Sequence, residues 1–364
     1  MLEKMLEEKK YLPILKMNDG SQVTSDRWSL RREEMIELLE KYSYGKTPKI
    51  PVSVKGVFKE EGTYTCAGKC REEFVEIIYE TSYGKGSFPI QIFTPLGVKK
   101  PPVMLHIAFG LAPNKYIPVE EIIDSGYALA IVDYRDMVND NHFGDYSDGI
   151  ASHFETSANR TEDAWGKIGM WAWGTSRVLD YLIAERDDLD TDKVAVIGHS
   201  RLGKTALWCA AQDERFAAVI SNNSGYGGAA SSKYGKGERI TDFIEVGSWD
   251  WFCENFKNYK GELEDEKPYD QSFLLALIAP RYLLVGSAEL DSGADPEAEF
   301  LTTLHASEAW ELLSKRGLVT EDKMPTPIAF LGDGNILYHY RKGTHYLSGE
   351  DWMAYIKFLD SKFR

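Results

Sequence analysis

The sequence predicts an α/β fold of the α/β-hydrolase type, a three-layer sandwich with a mostly parallel central sheet. Near-continuous apolar runs recur through the chain, and a helical segment at 164–188 separates two of them. Buried parallel strands, covered on both faces by crossover helices, have this composition. The runs that predict them are VMLHIAF (103–109), YALAIVDY (127–134), KVAVIGHS (193–200), AAVISNNS (217–224) and RYLLVGSAE (281–289).

The first hundred residues have a different character. Helical periodicity over residues 26–42 ends at the Tyr-Gly-Lys-Thr-Pro of 44–48. Short alternating runs broken by Gly and Pro then fill residues 50–100 and predict antiparallel strands. The sequence shows no internal repeat and no low-complexity linker. We therefore expect a single domain over 1–364, with residues 1–60 forming a helical prelude packed on it.

Charge and hydropathy exclude several classes of partner. The net charge is 42 − 57 = −15, which gives no general attraction to nucleic acid or to an anionic membrane surface. No apolar run approaches the roughly 18 residues that a membrane span needs. The N-terminal stretch MLEKMLEEKKYLPILK lacks the apolar core of a secretory signal. We expect a cytoplasmic protein, with a longer precursor carrying a signal peptide as the alternative; the oligomeric state stays open.

The cysteines predict neither a metal site nor a disulfide framework. Cys66 and Cys70 lie close together, but no second pair of Cys or His follows at zinc spacing. Cys209 and Cys253 lie in apolar surroundings, as core thiols do. We expect no structural disulfide, no metal and no cofactor.

Ser200 is the candidate nucleophile. It lies in VAVIGHSRLGKTALW (194–208), which reads as a strand, a sharp turn and a helix. The nucleophile elbow of hydrolases has the pattern G-x-S-x-G. Gly198 fits that pattern, but Leu202 takes the place of the second glycine and Gly203 follows it. The local pattern leaves open the alternative that Ser200 only caps a helix.

Two cations follow the serine and favour a catalytic role. The backbone N–H of Arg201 is suited to an oxyanion hole, and its guanidinium could stabilise the same charge. Such donors contribute roughly 3–4 kcal/mol in acyl-transfer sites. Lys204 lies one helical turn from Ser200 and could face the same mouth. Because the helix dipole disfavours cations at a helix N-terminus, this local conflict indicates a functional site.

The base should be a histidine in a loop after the last apolar run. His305 lies in a helical stretch, and His339 lies in the apparent strand ILYHY. His345 follows Gly343 in a loop before the terminal helix, where an α/β-hydrolase carries its base. We predict His345 as the base, with His339 as the alternative.

The acid should follow the strand that ends near residue 286. The loop GSAELDSGADP offers Glu289, Asp291 and Asp295. A carboxylate shortly past the strand could hold the imidazole in one tautomer. We predict Asp291, with Glu289 as the alternative, and we expect Asp295 to start the next helix.

Several stretches together carry a family resemblance. They are GHSRLGK, DERFAAVISNNSGYGG, WFCENF, DQSFLLALIAPR, SAELDSGADP, KGTHYL and the early DRWSLRREEMIELLEKYSYGKTP. In these stretches the chain resembles the bacterial glucuronoyl esterases of carbohydrate esterase family fifteen, over nearly its whole length. In that family arginine follows the serine and the glycine comes three places after it, so Leu202 fits the motif. The resemblance implies an α/β-hydrolase fold, a Ser–His–acid triad without metal, and cleavage of glucuronic acid esters in xylan, including those that link xylan to lignin.

Carried over to this sequence, the resemblance implies four roles. Ser200 is the nucleophile, His345 the base, Arg201 the oxyanion stabiliser and Lys204 a contact to sugar hydroxyls. Many members carry the acid as a glutamate on the strand after the nucleophile helix, where this chain has Asn223. Because an amide cannot stabilise an imidazolium as a carboxylate does, the acid must come from the later loop.

A second departure concerns sugar stacking. Members often carry a tryptophan just before the Asp-Pro of the later loop, where this chain has Ser292 and Gly293. Tyr226, Trp249 and Trp251 are candidates to replace that surface or to be core residues.

Three hypotheses of function follow. The first is a serine carboxylesterase acting on carbohydrate esters, with the 4-O-methyl-glucuronoyl methyl ester foremost and a small molecule or oligosaccharide as substrate. The second is an acetylxylan-type esterase with the same mechanism. The third is a hydrolase-fold binding protein with weakened catalysis.

Overall fold

The structure, a computed structural model, describes residues 1–59, 62–154, 160–233 and 235–364. The strands belong to one mixed sheet. They are β1 (Ser53–Phe58), β2 (Thr63–Thr65), β3 (Cys70–Thr81), β4 (Gly84–Pro95), β5 (Pro102–Ala108), β6 (Ala128–Asp133), β7 (Asp190–His199), β8 (Ala218–Asn222), β9 (Tyr282–Ala288), β10 (Ala329–Leu331) and β11 (Ile336–Arg341). Their order is β1-β3-β4-β6-β5-β7-β8-β9-β11-β10, with β2 paired to β3.

The centre of the sheet is parallel, as the apolar runs predict. From β6 through β5, β7, β8 and β9 to β11, every neighbouring pair is parallel. Strands β5, β6 and β8 are buried along their whole length. Strands β1, β3 and β4 pair antiparallel at one edge, and β10 does so at the other. The mostly parallel sheet is therefore confirmed.

Helices cover both faces of the sheet. They are α1 (Leu2–Lys9), α2 (Trp28–Leu39), α3 (Val119–Asp124), α4 (Tyr134–Met137), α5 (Gly149–Phe154), α6 (Lys167–Glu185), α7 (Arg201–Gln212), α8 (Ile240–Glu245), α9 (Gln271–Ala276), α10 (Pro296–Ala306), α11 (Glu308–Leu312) and α12 (Gly349–Phe363). Apolar residues of α6, α7, α9 and α10 form the core on one face. Residues of α3 and α12 form a second cluster on the other. These three layers are the predicted sandwich.

The N-terminal stretch packs against the strand-bearing body. Ile14 and Met35 are fully buried in the larger core cluster. The Tyr11 ring stacks on His305 at 4.9 Å between centroids, and Arg32 Nη2 donates to the Ala211 carbonyl at 3.2 Å. The first part of the expected prelude, residues 1–44, is thus held by both apolar and polar contacts, but residues Ser53–Phe58 of that prelude form strand β1 and not a helix. The last residue of the prelude, 60, lies outside the described residues.

The parallel centre of the sheet decides where a site can form. Strands β7, β8, β9 and β11 are consecutive parallel neighbours, so their carboxyl ends lie side by side. Ligand sites of open α/β sheets lie at this edge. Ser200, Asn223, Asp291 and His345 each follow one of these four strands.

Candidate active site

Ser200 occupies a strained turn between β7 and α7. Its backbone has φ 59° and ψ −128°, a conformation that costs a non-glycine residue about 1–3 kcal/mol. The Ser200 N–H donates to the Asn222 carbonyl at 2.9 Å, which ties the turn to the end of β8. The serine side chain makes no capping hydrogen bond to α7. The geometry is that of a nucleophile elbow, and Ser200 holds the N-cap position of α7 without a side-chain cap bond that would support the helix-cap alternative.

The spacing of the glycines follows from close backbone approach. A Cβ at Gly198 would lie 1.9 Å from the Leu202 carbonyl oxygen, so only glycine fits there. A Cβ at Gly203 would lie 3.0 Å from the Ser224 Cβ, on the side of β8. Leu202 itself is fully buried in the core. The glycine that matters after Ser200 is therefore the one three places on.

His345 and Asp291 form a hydrogen-bonded pair at the carboxyl edge of the sheet. His345 Nδ1 lies 2.6 Å from Asp291 Oδ2. The aspartate side chain is 7% exposed and the histidine side chain 45% exposed. The His345 ring centroid lies 4.5 Å from that of His199, the residue before Ser200. The Asp291–His345 pair therefore lies beside the residue that precedes Ser200.

Asp291 is kept ionised by its hydrogen bonds. Burial acts to raise the pKa of its carboxyl group, but contacts with His345 and Asn223 outweigh burial and hold the pKa below its usual value. Asn223 Nδ2 donates to Asp291 Oδ2 at 2.8 Å, and the Ala294 N–H reaches Oδ1 at 3.4 Å. Glu289, the alternative acid, is exposed. The carboxylate that contacts His345 is therefore that of Asp291 and not that of Glu289.

A buried carboxyl group supports the loop behind Asp291. Glu299 of α10 accepts from the backbone N–H groups of Ser224 and Gly225 at 2.9 and 3.0 Å, and Ser287 Oγ donates to its other oxygen. Its side chain is inaccessible to solvent. Burial raises the pKa of Glu299 to about 8. Glu299 therefore holds the loop that carries Asn223 by hydrogen bonds, and its carboxyl group is largely protonated near pH 7.

The His345 loop is held by Arg341 at the end of β11. Arg341 Nε donates to both oxygens of Asp351, at 3.0 and 2.8 Å. Its two Nη atoms donate to the carbonyl oxygens of Lys342, Thr344 and Tyr346. The side chains of Arg341 and Asp351 are 5% and 0% exposed. A buried ion pair therefore fixes the backbone on both sides of His345.

The two remaining alternatives have structural roles. His339 is buried in β11, with Nε2 3.3 Å from Asp351 Oδ1, so its prediction as an alternative base is wrong. Asp295 caps α10 by accepting from the Ala298 N–H at 3.1 Å. The expectation that Asp295 starts a helix is confirmed.

Arg201 lies in a cradle beside the serine. Its Nη1 donates to Asp140 Oδ2, and its guanidinium stacks 4.3 Å from the Trp251 ring centroid. Asp140 also accepts from Trp251 Nε1 at 2.7 Å and from the Tyr134 hydroxyl at 3.1 Å. Within the described residues, the buried Nε of Arg201 has no hydrogen-bond partner. An N–H donor that lies next to Ser200 and has no other partner is suited to stabilising the negative charge of an oxyanion by a hydrogen bond.

Lys204 is less accessible than the sequence predicts. Its side chain is only 3% exposed. Nζ donates to the Ser224 carbonyl at 2.6 Å and to Glu238 Oε2 at 3.2 Å. Glu238 is 42% exposed, and its N–H donates to the Gly293 carbonyl in the loop after Asp291. The expectation of a cation at an open mouth is corrected to a lysine–glutamate pair whose glutamate reaches solvent.

The aromatic candidates for sugar stacking divide in the structure. Tyr226 is 2% exposed and belongs to the core. Trp251 is 6% exposed and supports Arg201. Trp249 is half-buried, with Lys257 Nζ 3.7 Å from its ring centroid. None of the three has the open, unpaired face of a simple stacking surface.

Sequence reasoning missed Asp140 and Glu238. Both lie in polar loops, where an acidic residue carries no signal of its own. A cation that is buried at a helix start needs a carboxylate partner, so Arg201 and Lys204 imply that such partners exist. Which acidic residues supply them depends on long-range folding.

Two features are absent from the ranges that the structure describes. No helix there is both long enough and apolar enough to cross a membrane. No group of three His, Cys, Asp or Glu side chains in the same ranges is arranged to hold a metal ion.

Comparisons with known proteins point to one family. The family described as "Glucuronyl esterase, fungi" matches residues 78–314. Carbohydrate esterase MZ0003, from an unknown prokaryotic organism, is 34% identical over 95% of this chain and 88% of its own length. The 4-O-methyl-glucuronoyl methylesterase of Schizophyllum commune is 31% identical over 73% of this chain and 64% of its own.

A solved structure extends the similarity to the whole fold. The glucuronoyl esterase from Solibacter usitatus superposes with a TM-score of 0.88 at 33% identity, and 98% of each chain is covered. Its fold is that of the α/β-hydrolases, as the layers and strand order described above predict. This chain therefore belongs to the glucuronoyl esterase family of carboxylic ester hydrolases.

Proposed function

We propose that this protein hydrolyses glucuronoyl esters, such as the methyl ester of 4-O-methyl-glucuronate, by a Ser200–His345–Asp291 triad. The observation that carries the proposal is the 2.6 Å contact between His345 and Asp291 at the sheet edge that also bears the strained Ser200. Relatives named as glucuronoyl esterases and methylesterases support the class of substrate.

Acylation follows from the direction of the hydrogen bonds. Because Asp291 accepts from His345 Nδ1, that nitrogen carries the proton and Nε2 is left as the basic atom. Nε2 takes the proton of Ser200 as its Oγ attacks the ester carbonyl. The imidazolium then gives the proton to the departing alcohol, and an acyl-enzyme remains.

Deacylation uses the same groups in reverse roles. A water molecule gives a proton to His345 Nε2 and attacks the acyl-enzyme, and the uronic acid leaves when Ser200 recovers the proton. In both steps the oxyanion accepts hydrogen bonds from the Arg201 backbone N–H and from the guanidinium N–H groups that do not bind Asp140. Because these donors are fixed before the reaction, they stabilise the transition state without reorganisation.

The pair of Lys204 and Glu238 suits the sugar. A glucuronoyl ester has no free carboxylate, so its recognition rests on hydroxyl groups, which both donate and accept hydrogen bonds. Glu238 offers a half-exposed acceptor beside the Asp291 loop, and Lys204 orients it at 3.2 Å. We propose that Lys204 acts on the sugar through Glu238, with Glu238 making the contact.

The test compares three esters by kcat/KM: methyl glucuronate, an acetylated xylo-oligosaccharide and p-nitrophenyl acetate. The expected result is a preference of at least about a hundredfold for the glucuronate over the acetylated oligosaccharide, since substrate hydroxyls matched by a polar site give discrimination of this size. Glu238→Gln should raise KM for methyl glucuronate and leave p-nitrophenyl acetate unchanged. A preference for the acetylated oligosaccharide would overturn the proposed substrate in favour of the acetylxylan-type alternative.

A further inference from the structure

Asp140 is the carboxylate closest to the proposed oxyanion stabiliser, and the sequence gives it no role. We propose that Asp140 is a positioning residue for Arg201 that also offsets its charge, so that the oxyanion is stabilised and the carboxylate product is released. The inference rests on the proposed hydrolysis of uronate esters.

The contacts of Asp140 fix it in one orientation. One oxygen accepts from Trp251 Nε1 at 2.7 Å, and the other accepts from the Tyr134 hydroxyl at 3.1 Å and from Arg201 Nη1. The side chain is 7% exposed. A carboxylate with three donors in a nearly dry setting has little freedom to rotate.

Arg201 is in turn held on two sides. Asp140 binds the end of its guanidinium, while the Trp251 ring lies against its plane at 4.3 Å. The Phe109 ring lies 5.8 Å from the guanidinium carbon. An arginine restrained by stacking and by a carboxylate loses less freedom when it binds a third group. Catalysis by an oxyanion donor depends on this kind of pre-organisation.

The nearby charges form separate pairs, and the partner of Asp140 is Arg201. Asp250, in the same 3-10 helix (Ser248–Trp251) as Trp251, pairs with Lys167 at 3.0 Å, and both of these side chains are fully buried. Burial raises the pKa of the Asp250 carboxyl group, and the charge of Asp140 adds to that effect. The neighbourhood thus contains two matched ion pairs, and Asp140 offsets the charge of Arg201.

Charge matching has a consequence for the product. The ester is neutral at the carbonyl, but hydrolysis leaves a carboxylate in the same place. An unpaired guanidinium binds carboxylates with two parallel hydrogen bonds. Asp140 already accepts from Nη1, and its negative charge repels a second carboxylate at the same guanidinium. The pair therefore favours the oxyanion, which forms briefly, over the product, which must leave.

The first test is a double-mutant cycle on methyl glucuronate. Asp140→Asn should lower kcat on the order of tenfold to a hundredfold, and Arg201→Ala about a hundredfold or more. In the Arg201→Ala background, Asp140→Asn should change kcat by less than about twofold, because it acts only through Arg201. Asp136→Asn removes the same charge from an exposed position on α4 and is the matched control. Additive losses would overturn the proposal.

The second test is product inhibition, which a merely structural role would not change. Asp140→Asn should lower the inhibition constant of glucuronate about tenfold, since the freed guanidinium becomes a carboxylate site. Asp140→Glu keeps the charge but moves it by one methylene, so it should lower kcat and leave the inhibition constant near that of the wild type. An unchanged inhibition constant in Asp140→Asn would overturn the release part of the proposal.

A third arm separates this proposal from the proposed function. If the wild type fails on methyl glucuronate but cleaves p-nitrophenyl acetate, the substrate assignment is wrong. The cycle is then run on p-nitrophenyl acetate, where the coupling between Asp140 and Arg201 is still expected. Loss of coupling there would overturn the positioning role on its own.

Discussion

Asn223 donates its side-chain amide to Asp291 at 2.8 Å, on the same carboxylate oxygen that accepts from His345. By the family resemblance, Asn223 occupies the position at which many members are expected to carry a glutamate. In this chain the amide serves a carboxylate that comes from the next strand end. The backbone of Asn223 has φ 47°. Residues other than glycine and asparagine adopt this conformation only at a cost in free energy. The residue is therefore suited both to the turn and to the donor role.

Replacing Asn223 separates these two roles. Asn223→Gly keeps the backbone conformation but removes the donor, so we expect kcat to fall roughly tenfold with little change in thermal stability. Asn223→Ala should lower kcat equally and should also lower the melting temperature, because alanine is strained at positive φ. Steady-state kinetics and thermal unfolding of both variants measure the difference. Wild-type activity in Asn223→Gly would show that Asp291 needs no second donor.

Ser200→Ala should abolish ester hydrolysis while the fold is retained. Loss of a triad nucleophile costs on the order of a million-fold in kcat. The check is the rate with methyl glucuronate and with p-nitrophenyl acetate, alongside circular dichroism of the variant. If a well-folded alanine variant kept a tenth of wild-type activity, Ser200 would not be the nucleophile.

Asp291→Asn should lower kcat by roughly four orders of magnitude, because an amide leaves the histidine in the wrong tautomer. Glu289→Gln is the matched control, since it makes the same chemical change two residues away at an exposed position. We expect its kcat to stay within about twofold of the wild type. Equal losses in the two variants would contradict the assignment of the acid.

Glu299→Gln should stabilise the protein at alkaline pH. In the folded protein the pKa of Glu299 is raised from its ordinary value of 4.5 to about 8. Between these two pH values the unfolded chain ionises while the folded one does not, so the stability of the fold falls progressively as the pH rises from about 4.5 to about 8. Glutamine resembles the protonated acid and titrates nowhere in this window. The melting temperature of the variant minus that of the wild type should therefore grow from pH 5 to pH 8.

Glu297→Gln, on the same helix, is the control with the opposite sign. Burial acts to raise the pKa of Glu297, but its contacts with Lys236 and Lys9 hold the pKa below its usual value. Its stabilising contribution is present above the ordinary pKa and is lost as pH falls through the folded one. The variant should melt below the wild type at pH 7 and match it in acid. A rise at pH 7 would contradict the ion pairs.

The sequence was sufficient for the parts of the site that lie next to strong patterns. Ser200 and Asp291 follow strands that apolar runs mark clearly, and His345 follows the apparent strand ILYHY. Lys204 was misjudged because lysine is usually exposed, while here Ser224 and Glu238 bind its ammonium inside the fold. Asp140 could not be found, because its loop meets Trp251, more than a hundred residues later, only in the folded chain.

The strained backbone at Ser200 has a consequence for the evolution of the enzyme. Glycine would adopt the φ 59° and ψ −128° of this position with less backbone strain than serine does. The inactive Ser200→Gly protein is therefore expected to have an unfolding free energy about 1–3 kcal/mol higher than that of the active enzyme, and to melt at a higher temperature. Selection for thermal robustness alone would remove the nucleophile, so only a need for its chemistry keeps a serine at this turn.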